Sequence, residues 1–167
     1  MNDRTRQNLY TAFVGEAKAH HRLLAFGRRA EQEGYPQIAK LFRAVANAEG
    51  VHAARHLRLL GEAVVQSTEE NLASSFEREQ TVNQVHYPEF IQQAEEEGES
   101  AASLTFAQAR DVEGGHAALY KRALNAMLRD ESHDYYVCQV CGYIAEREAP
   151  GECPICGARQ DQFVTVT

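Results

Sequence analysis

Apolar residues recur every three or four positions over most of the first 130 residues of the chain. Leu9, Phe13, Ala17 and Leu24 form one such series. This spacing is typical of an amphipathic helix, and the residues between are mainly Ala, Glu, Gln and Arg, which form helices readily. The pattern therefore predicts helix almost throughout this part of the chain.

Glycine and proline divide the helical pattern into four parts. The turn at 34–36 ends the first helix, because Pro36 suits a helix start and not a helix interior. Short connections between successive helices predict antiparallel neighbours and hence a four-helix bundle. Pro88 falls inside the third helix and predicts a kink or a local irregularity there. The predicted helices lie near 3–33, 36–60, 68–97 and 100–129.

The helical part contains an internal repeat. A shift of 64 residues superimposes the end of the first helix and the second helix on the end of the third and the fourth. A shift of 63 superimposes Phe13 and Glu16 of the first helix on Phe76 and Glu79 of the third. The superimposed pairs include Glu16 with Glu79, Glu49 with Glu113, Gly50 with Gly114, and His52 with His116. A fold alone would require only the apolar positions to repeat. The repeated acids and histidines therefore indicate a pseudo-symmetric polar site.

The repeated polar residues follow a metal-ligand pattern. Each Glu-x-x-His pair lies on one helix face, and the first and third helices each add one Glu. Such a set is typical of carboxylate-bridged di-iron bundles, and its four carboxylates balance two divalent cations. Iron or manganese suits these donors, zinc is also compatible, and a solvated acidic face is the alternative. The predicted ligands are Glu16, Glu49, His52, Glu79, Glu113 and His116.

Other residues near the predicted ligands are open to two interpretations. Gly50, Gly114 and Gly115 lie inside helices, where each destabilises by about 1 kcal/mol relative to Ala, so we expect a close approach of another group. His20, one turn after the first-helix ligand, either faces the core or is a packed or surface histidine. Tyr87 is either a hydrogen-bond donor beside the ligands or a core residue.

The last thirty residues carry all four cysteines, as two Cys-x-x-Cys-Gly turns. This arrangement predicts a metal site and not a disulfide framework. Four thiolates bind zinc or a single iron, and spacing does not choose between them. Iron is favoured because a di-iron site upstream needs electrons. The predicted ligands are Cys138, Cys141, Cys153 and Cys156.

These residues together resemble the rubrerythrin family. The resemblance rests on the six carboxylate and histidine ligands, the stretch Tyr87-Pro88-Glu89-Phe90, and the short-spacer cysteine tail. It implies a mainly α fold: a ferritin-like four-helix bundle over 1–133, then a small rubredoxin-like metal-bound β/loop domain over 134–167. A charged linker over 130–135 separates the two by composition.

The resemblance also implies an activity. It is that of a non-haem di-iron peroxidase, an oxidoreductase that reduces hydrogen peroxide to water in oxidative stress defence. Electrons from a reductase would pass through the mononuclear cysteine-bound iron. A homodimer is implied as well, because in the family one subunit's rubredoxin domain approaches the other's di-iron site. Within one subunit, the rubredoxin domain and the di-iron site would be far apart.

One position departs from the family pattern. Rubrerythrins usually carry a second Glu three residues after the third-helix ligand, and Val82 occupies that position here. The remaining set is more like that of symmetric di-iron bundles. This favours an alternative, a ferroxidase or iron-handling ferritin-like protein. A metal-binding module with a structural zinc ribbon and a metal-free bundle is a further alternative.

Composition narrows the class of protein. The chain has 167 residues, 44% of them apolar, and a formal net charge of -7. No run of five basic residues occurs, which is unfavourable for nucleic-acid binding. No segment approaches the roughly 18 apolar residues of a membrane span. The polar N-terminus is not expected to be a secretory leader, so we expect a cytoplasmic protein.

Overall fold

The computed structural model of the protein describes residues 1–126 and 132–166. These residues form two compact units, Met1–Ser67 and Thr68–Thr167. Most of the chain is helical, and a small β-sheet lies near its C-terminal end. Among the described residues, no helix has the length and the apolar character that crossing a membrane requires.

The first unit is an antiparallel hairpin of two long helices, α1 (Asp3–Gln32) and α2 (Pro36–Leu60). Helix α1 starts where the Asn2 side chain accepts a hydrogen bond from the backbone N–H of Arg4. It ends before Gly34, whose φ of 81° lies in the left-handed region that suits glycine. Helix α2 then begins at the predicted proline, and a short 3₁₀ turn, Gly61–Ala63, follows it.

Small side chains form the contact between α1 and α2. Ala39, Ala46, Ala53 and Leu60 recur every seventh residue of α2 and are all buried. On α1, a Cβ built on Gly27 would lie only 3.4 Å from the carbonyl oxygen of Ala39. The two backbones therefore approach closely, and a short polar side chain of one helix can reach the backbone of the other.

The second unit begins with a helix that changes its winding. Helix α3 (Thr68–Thr81) passes into a π turn (Val82–His86) and continues as α4 (Tyr87–Glu96). Pro88 lacks an N–H and its ring would collide with the carbonyl four residues earlier. The wider π turn relieves this, and the Tyr87 N–H donates to the Val82 carbonyl five residues back. The local irregularity predicted from Pro88 is therefore confirmed.

The second hairpin closes with α5 (Ser100–Ala126). Residues 127–129 of the predicted fourth helix and residues 130–131 of the predicted linker lie outside the described residues. Gly98 between α4 and α5 has a φ of 75°, close to that of Gly34. At both turns the residue after the glycine donates its N–H to the carbonyl five positions back, at 2.8 Å. The two hairpins are thus built alike, as the internal repeat predicted.

The cysteine-containing part belongs to the second unit. Its antiparallel sheet has the order β2–β1–β3, formed by Tyr135–Cys138 (β1), Ile144–Glu146 (β2) and Phe163–Val166 (β3). An ion pair between Arg122 of α5 and Glu146 of β2 joins this sheet to the helix. The fold class is confirmed as mainly helical with a small β/loop region, while the predicted boundary between residues 133 and 134 stays a prediction.

Candidate metal centres

The first hairpin brings three predicted ligands together. Glu16 lies on α1, and Glu49 and His52 lie one turn apart on α2. Their ligand atoms are all within 4.8 Å of one another. The His52 Nδ1 atom is 3.0 Å from Glu49 Oε2 and 4.0 Å from Glu16 Oε1. We call these residues the first triad; it is compact enough to bind one metal ion.

The second hairpin repeats the arrangement. Glu79 of α3 meets Glu113 and His116 of α5, and their ligand atoms are also within 4.8 Å of one another. The His116 Nδ1 atom is 3.0 Å from Glu113 Oε2, the same distance as in the first triad. We call these residues the second triad. The structure therefore places all six predicted ligands in two equivalent triads, one on each hairpin.

The carboxylates of each triad are close enough to share a proton. A hydrogen bond with Glu49, together with partial burial, raises the pKa of Glu16, and the same bond lowers the pKa of Glu49. Burial, followed by the hydrogen bond with Glu113, raises the pKa of Glu79 to about 7. Paired carboxylates behave in this way when their mutual repulsion is relieved by a proton. A divalent cation would relieve the same repulsion.

Tyr87 was predicted to be either a hydrogen-bond donor beside the ligands or a core residue, and its surroundings fit both roles. Its ring lies against Phe90 and Phe106, with centroids 6.0 Å and 6.3 Å away. Burial, and then the charges of Glu113 and Glu79, raise the pKa of its phenol. Tyr87 is thus part of an aromatic cluster, lies close to the second triad, and keeps its proton at neutral pH.

The glycines beside the ligands have different surroundings. A Cβ built on Gly50 would lie 3.2 Å from His20 Nδ1, and one built on Gly114 would lie 3.0 Å from Asn83 Nδ2. The expected close approach of another group is confirmed at these two positions. At Gly115 no such atom lies within 4 Å among the described residues, so the expectation is wrong there.

Two residues near the triads were not found from the sequence. Asn83 reaches α5 from the π turn, and His56 is close enough to Glu16 for its charge to lower that pKa. A signal for Asn83 was present, since the 63-residue shift superimposes it on His20. For His56 the sequence offers no comparable signal, because the 64-residue shift superimposes it on Tyr120.

The four cysteines form a third cluster, in the second unit. Their sulfur atoms lie within 4.8 Å of one another, with 3.8 Å between the Sγ atoms of Cys138 and Cys156. Gly142 and Gly157, which follow the two Cys-x-x-Cys turns, have φ values of 84° and 73°. Both values lie in the left-handed region that glycine adopts without strain.

Backbone amides of the two turns point at the sulfurs. Burial alone would raise the pKa of Cys138, but hydrogen bonds from the N–H groups of Cys141 and Val140, together with those from neighbouring thiols, lower this pKa to about 7. Burial raises the pKa of Cys141 and of Cys156, against an opposing amide hydrogen bond in each case. The site thus offers amide donors to thiolates whose charge a metal ion must neutralise.

The cysteine cluster and the second triad are joined by one hydrogen bond. The Nε2 atom of His116 lies 3.1 Å from the carbonyl oxygen of Gly142, the residue after Cys141. Because a carbonyl only accepts, Nε2 carries the proton and Nδ1 is free to bind metal. The side chain of His116 is 21% exposed, against 51% for His52. The long separation within one chain that the resemblance implied is therefore wrong for this triad.

Donor chemistry fits iron at all three clusters. Carboxylate and imidazole donors suit iron or manganese, and four thiolates suit iron or zinc. The two triads together provide four carboxylates and two imidazoles, the donors of a di-iron site. Four thiolates in a closed cluster are the donors of a mononuclear site.

Family models match both parts of the chain. The model described as "Rubrerythrin" matches residues 7–124, and the one described as "Rubrerythrin, rubredoxin-like domain" matches residues 136–164. Together these matches and the donor sets assign a di-iron site to the triads and a rubredoxin-like iron site to the cysteines.

Similar proteins match over nearly the whole chain. "Nigerythrin" of Nitratidesulfovibrio vulgaris is 35% identical over 95% of this chain and 85% of its own length. "Rubrerythrin-2" of Clostridium acetobutylicum is 33% identical over 97% of this chain and 96% of its own length. The solved structure "Partially Reduced State of Nigerythrin" has a TM-score of 0.60 at 35% identity, covering 97% of this chain and 86% of that one.

The raised pKa of Glu79 predicts a pH dependence for the metal-free protein. Between about pH 4.5 and about pH 7 the folded chain keeps a proton that the unfolded chain has lost. The free energy of unfolding should therefore fall as pH rises through this range. Glu79→Gln should flatten the dependence, measured as the urea midpoint against pH. Glu77 is an exposed residue of the same helix, and Glu77→Gln is the control. Equal slopes of the urea midpoint against pH in the two variants would show that Glu79 does not cause the pH dependence.

Removal of one thiolate should uncouple the cysteine region from the rest of the protein. Short strands and two buried cysteines give this region too little core to fold without metal. Cys138→Ser should abolish metal binding there and flatten the near-ultraviolet circular dichroism of its tyrosines, while helix content stays unchanged. Val140→Ala, 61% exposed between two ligands, is the control and should keep the metal. Full metal content in Cys138→Ser would contradict the four-thiolate site.

Proposed function

Because the chain belongs to the rubrerythrin family, we propose that it is a peroxidase that reduces hydrogen peroxide to water in oxidative stress defence. The observation that supports this proposal is the hydrogen bond between His116 and Gly142, which links an electron-carrying cysteine site to a carboxylate triad. The reaction consumes two electrons and two protons for each peroxide and releases two waters. Bound iron supplies the electrons and the Lewis acidity that breaking the O–O bond requires.

The six triad residues would hold the di-iron site. Four carboxylates would balance the charge of two divalent ions, and each imidazole would provide one nitrogen donor. Within each hairpin the carboxylates already lie in hydrogen-bonding contact, so a cation would take the place of a shared proton. Tyr87 would donate a hydrogen bond beside the second triad, because its phenol stays protonated near Glu79 and Glu113.

We further propose that electrons reach the second triad from the cysteine site of the same chain. The route follows the backbone from Cys141 to the Gly142 carbonyl, crosses the hydrogen bond to His116 Nε2, and passes through the ring to Nδ1. The ion pair between Arg122 and Glu146 holds the sheet against α5 and supports this contact. An external reductase would then restore the cysteine site after each electron.

The sequence also led us to expect a homodimer and a cytoplasmic location. Both remain predictions. The route through Gly142 does not require a partner subunit, so electron delivery along it would not depend on the oligomeric state.

Val82 supports a second candidate function. It begins the π turn at the position where the family usually carries a further Glu, and its side chain cannot bind metal. The two triads are then chemically identical, as in symmetric di-iron bundles. A ferroxidase or iron-handling role follows from this symmetry, with dioxygen as oxidant and iron as the substrate.

The choice between these functions predicts a difference between oxidants. Iron-loaded protein should be red from thiolate-to-iron charge transfer, lose its colour with dithionite, and regain it faster with hydrogen peroxide than with dioxygen. Stopped-flow absorbance at the charge-transfer band measures both rates. Equal or faster recovery with dioxygen would overturn the peroxidase proposal. Retention of iron beyond the three expected ions would favour iron handling, and a colourless zinc protein would favour a binding module.

The same-chain route predicts the behaviour of mixed assemblies. Cys138→Ser removes the relay and Glu113→Ala disables the second triad. If electrons stay within one chain, an assembly with both changes in one chain and a wild-type partner should recover its colour with peroxide. An assembly with one change in each chain should not.

Delivery between subunits would give the opposite pattern and would refute the same-chain route. Two affinity tags isolate each assembly, and iron analysis confirms equal loading of the remaining sites. A protein that proves monomeric and active would support the same-chain route directly.

A further inference from the structure

The two hairpins contain the same polar contact at the same place. In the first, His20 Nδ1 of α1 lies 2.7 Å from the carbonyl oxygen of Ala46 on α2. In the second, Asn83 Nδ2 of the π turn donates to the carbonyl oxygen of Arg110 on α5 at 2.6 Å. Since a carbonyl only accepts, the Nδ1 atom of His20 carries a proton. Both contacts are partly buried and join helices that each carry ligands.

The internal repeat relates both partners of these contacts. Asn83 follows His20 by 63 residues and Arg110 follows Ala46 by 64, the two shifts that superimpose the ligands. Each donor lies four residues after the Glu ligand of its own helix. Each acceptor lies three residues before the Glu ligand of the opposite helix. The contact therefore has the same position relative to the carboxylates in both triads.

The glycines after the second-helix and fourth-helix Glu ligands make these contacts possible. Cα–Cβ bonds of a helix tilt toward its N-terminus, so the Cβ of a residue covers the carbonyl one turn earlier. Gly50 lies one turn after Ala46, and Gly114 lies one turn after Arg110. A Cβ at either glycine would come within 3.2 Å or 3.0 Å of the donor nitrogen. Because glycine has no Cβ, each carbonyl can accept a hydrogen bond from the side chain of the other helix as well as from the N–H of its own helix.

We propose that His20 and Asn83 are positioning residues that fix the register of the ligand helices. Buried alanines of α2 let the two axes approach closely but have no directional contacts of their own. The ring contact between Phe26 and Phe42 and the ion pair between Arg43 and Glu31 join α1 to α2 nearer the turn, away from the ligands. A slip by one residue would move a ligand by about 1.5 Å along the axis, enough to disturb a site of this size. A directional hydrogen bond beside the carboxylates opposes that slip where the ligands lie. The inference rests on the triads binding metal and not on the peroxide reaction.

Neighbouring glycines of α5 provide a matched comparison. Gly114→Ala should displace Asn83, whereas Gly115→Ala adds its methyl group where no neighbouring atom lies within 4 Å. We expect Gly114→Ala to weaken Co²⁺ binding about 10- to 100-fold, as for changes to groups that orient metal ligands. Gly115→Ala should leave Co²⁺ binding unchanged and raise the melting temperature of the metal-free protein, because Ala favours helix over Gly.

Exchange of the two donors tests the role of the hydrogen bond itself. His20→Asn keeps a nitrogen donor near the position of Nδ1, the donor that the second hairpin already uses, while His20→Leu removes it. We expect His20→Leu and Asn83→Leu each to weaken Co²⁺ binding about 10-fold or more, and His20→Asn to restore most of the loss. A merely structural role would lower the melting temperature of both His20 variants without this difference in Co²⁺ affinity.

Co²⁺ is titrated into protein whose cysteine site is already filled with Zn²⁺, and its ligand-field absorption reports affinity and coordination geometry. Shifted absorption bands in the Leu variants and wild-type bands in His20→Asn would support the proposal. Wild-type affinity and bands in both Leu variants, or equal binding by the two glycine variants, would overturn it. If the wild-type chain itself took up no Co²⁺ under these conditions, the metal site of the proposed function would fail instead.

Discussion

Two carboxylates cannot lie in hydrogen-bonding contact within a helical hairpin unless a proton or a cation lies between them. This constraint applies to both hairpins of the protein, since each holds a pair of glutamates and a histidine whose ligand atoms lie within 4.8 Å of one another. Close backbones, a fixed axial register and a polar opening in the helix face are all needed to hold such a pair in place. In the first hairpin the buried alanines of α2 allow the close approach, and in both hairpins the glycine and the hydrogen bond beside it provide the opening and the register.

The two hairpins are alike around the ligands, but they differ in what contacts their histidines. After the second hairpin the chain continues into the cysteine region, which covers His116 through the Gly142 carbonyl. Among the described residues no carbonyl makes an equivalent contact with His52, whose side chain is about half exposed. The two histidine ligands therefore differ in exposure although the ligand sets are the same, and the second triad is the one in contact with the cysteine region.

Much of the metal chemistry could be predicted from the sequence, because ligands are chemically distinctive and their spacing follows from helix geometry. All six carboxylate and histidine ligands and all four cysteines lie in clusters as expected. Pro88 marked the π turn for a similar reason, since its missing N–H has a local effect. Asn83 has no such local signal, because its role depends on a carbonyl of another helix, and only its superposition on His20 in the repeat pointed to it. The contact between His116 and Gly142 depends on how the sheet packs on α5, and no local pattern encodes it.

Gly142 has a further consequence, because the peptide group that it shares with Tyr143 contacts both the second triad and the cysteine site. The Tyr143 N–H of this group donates to the sulfur of Cys141, and its Gly142 carbonyl accepts from His116 at 3.1 Å. Hydrogen bonds in such chains polarise one another in a low-dielectric interior. A change of charge at the second triad therefore alters the field at the thiolates without any atom moving far. The stretch of backbone that we propose as the electron route would therefore also transmit an electrostatic effect in the opposite direction, from the second triad to the thiolates.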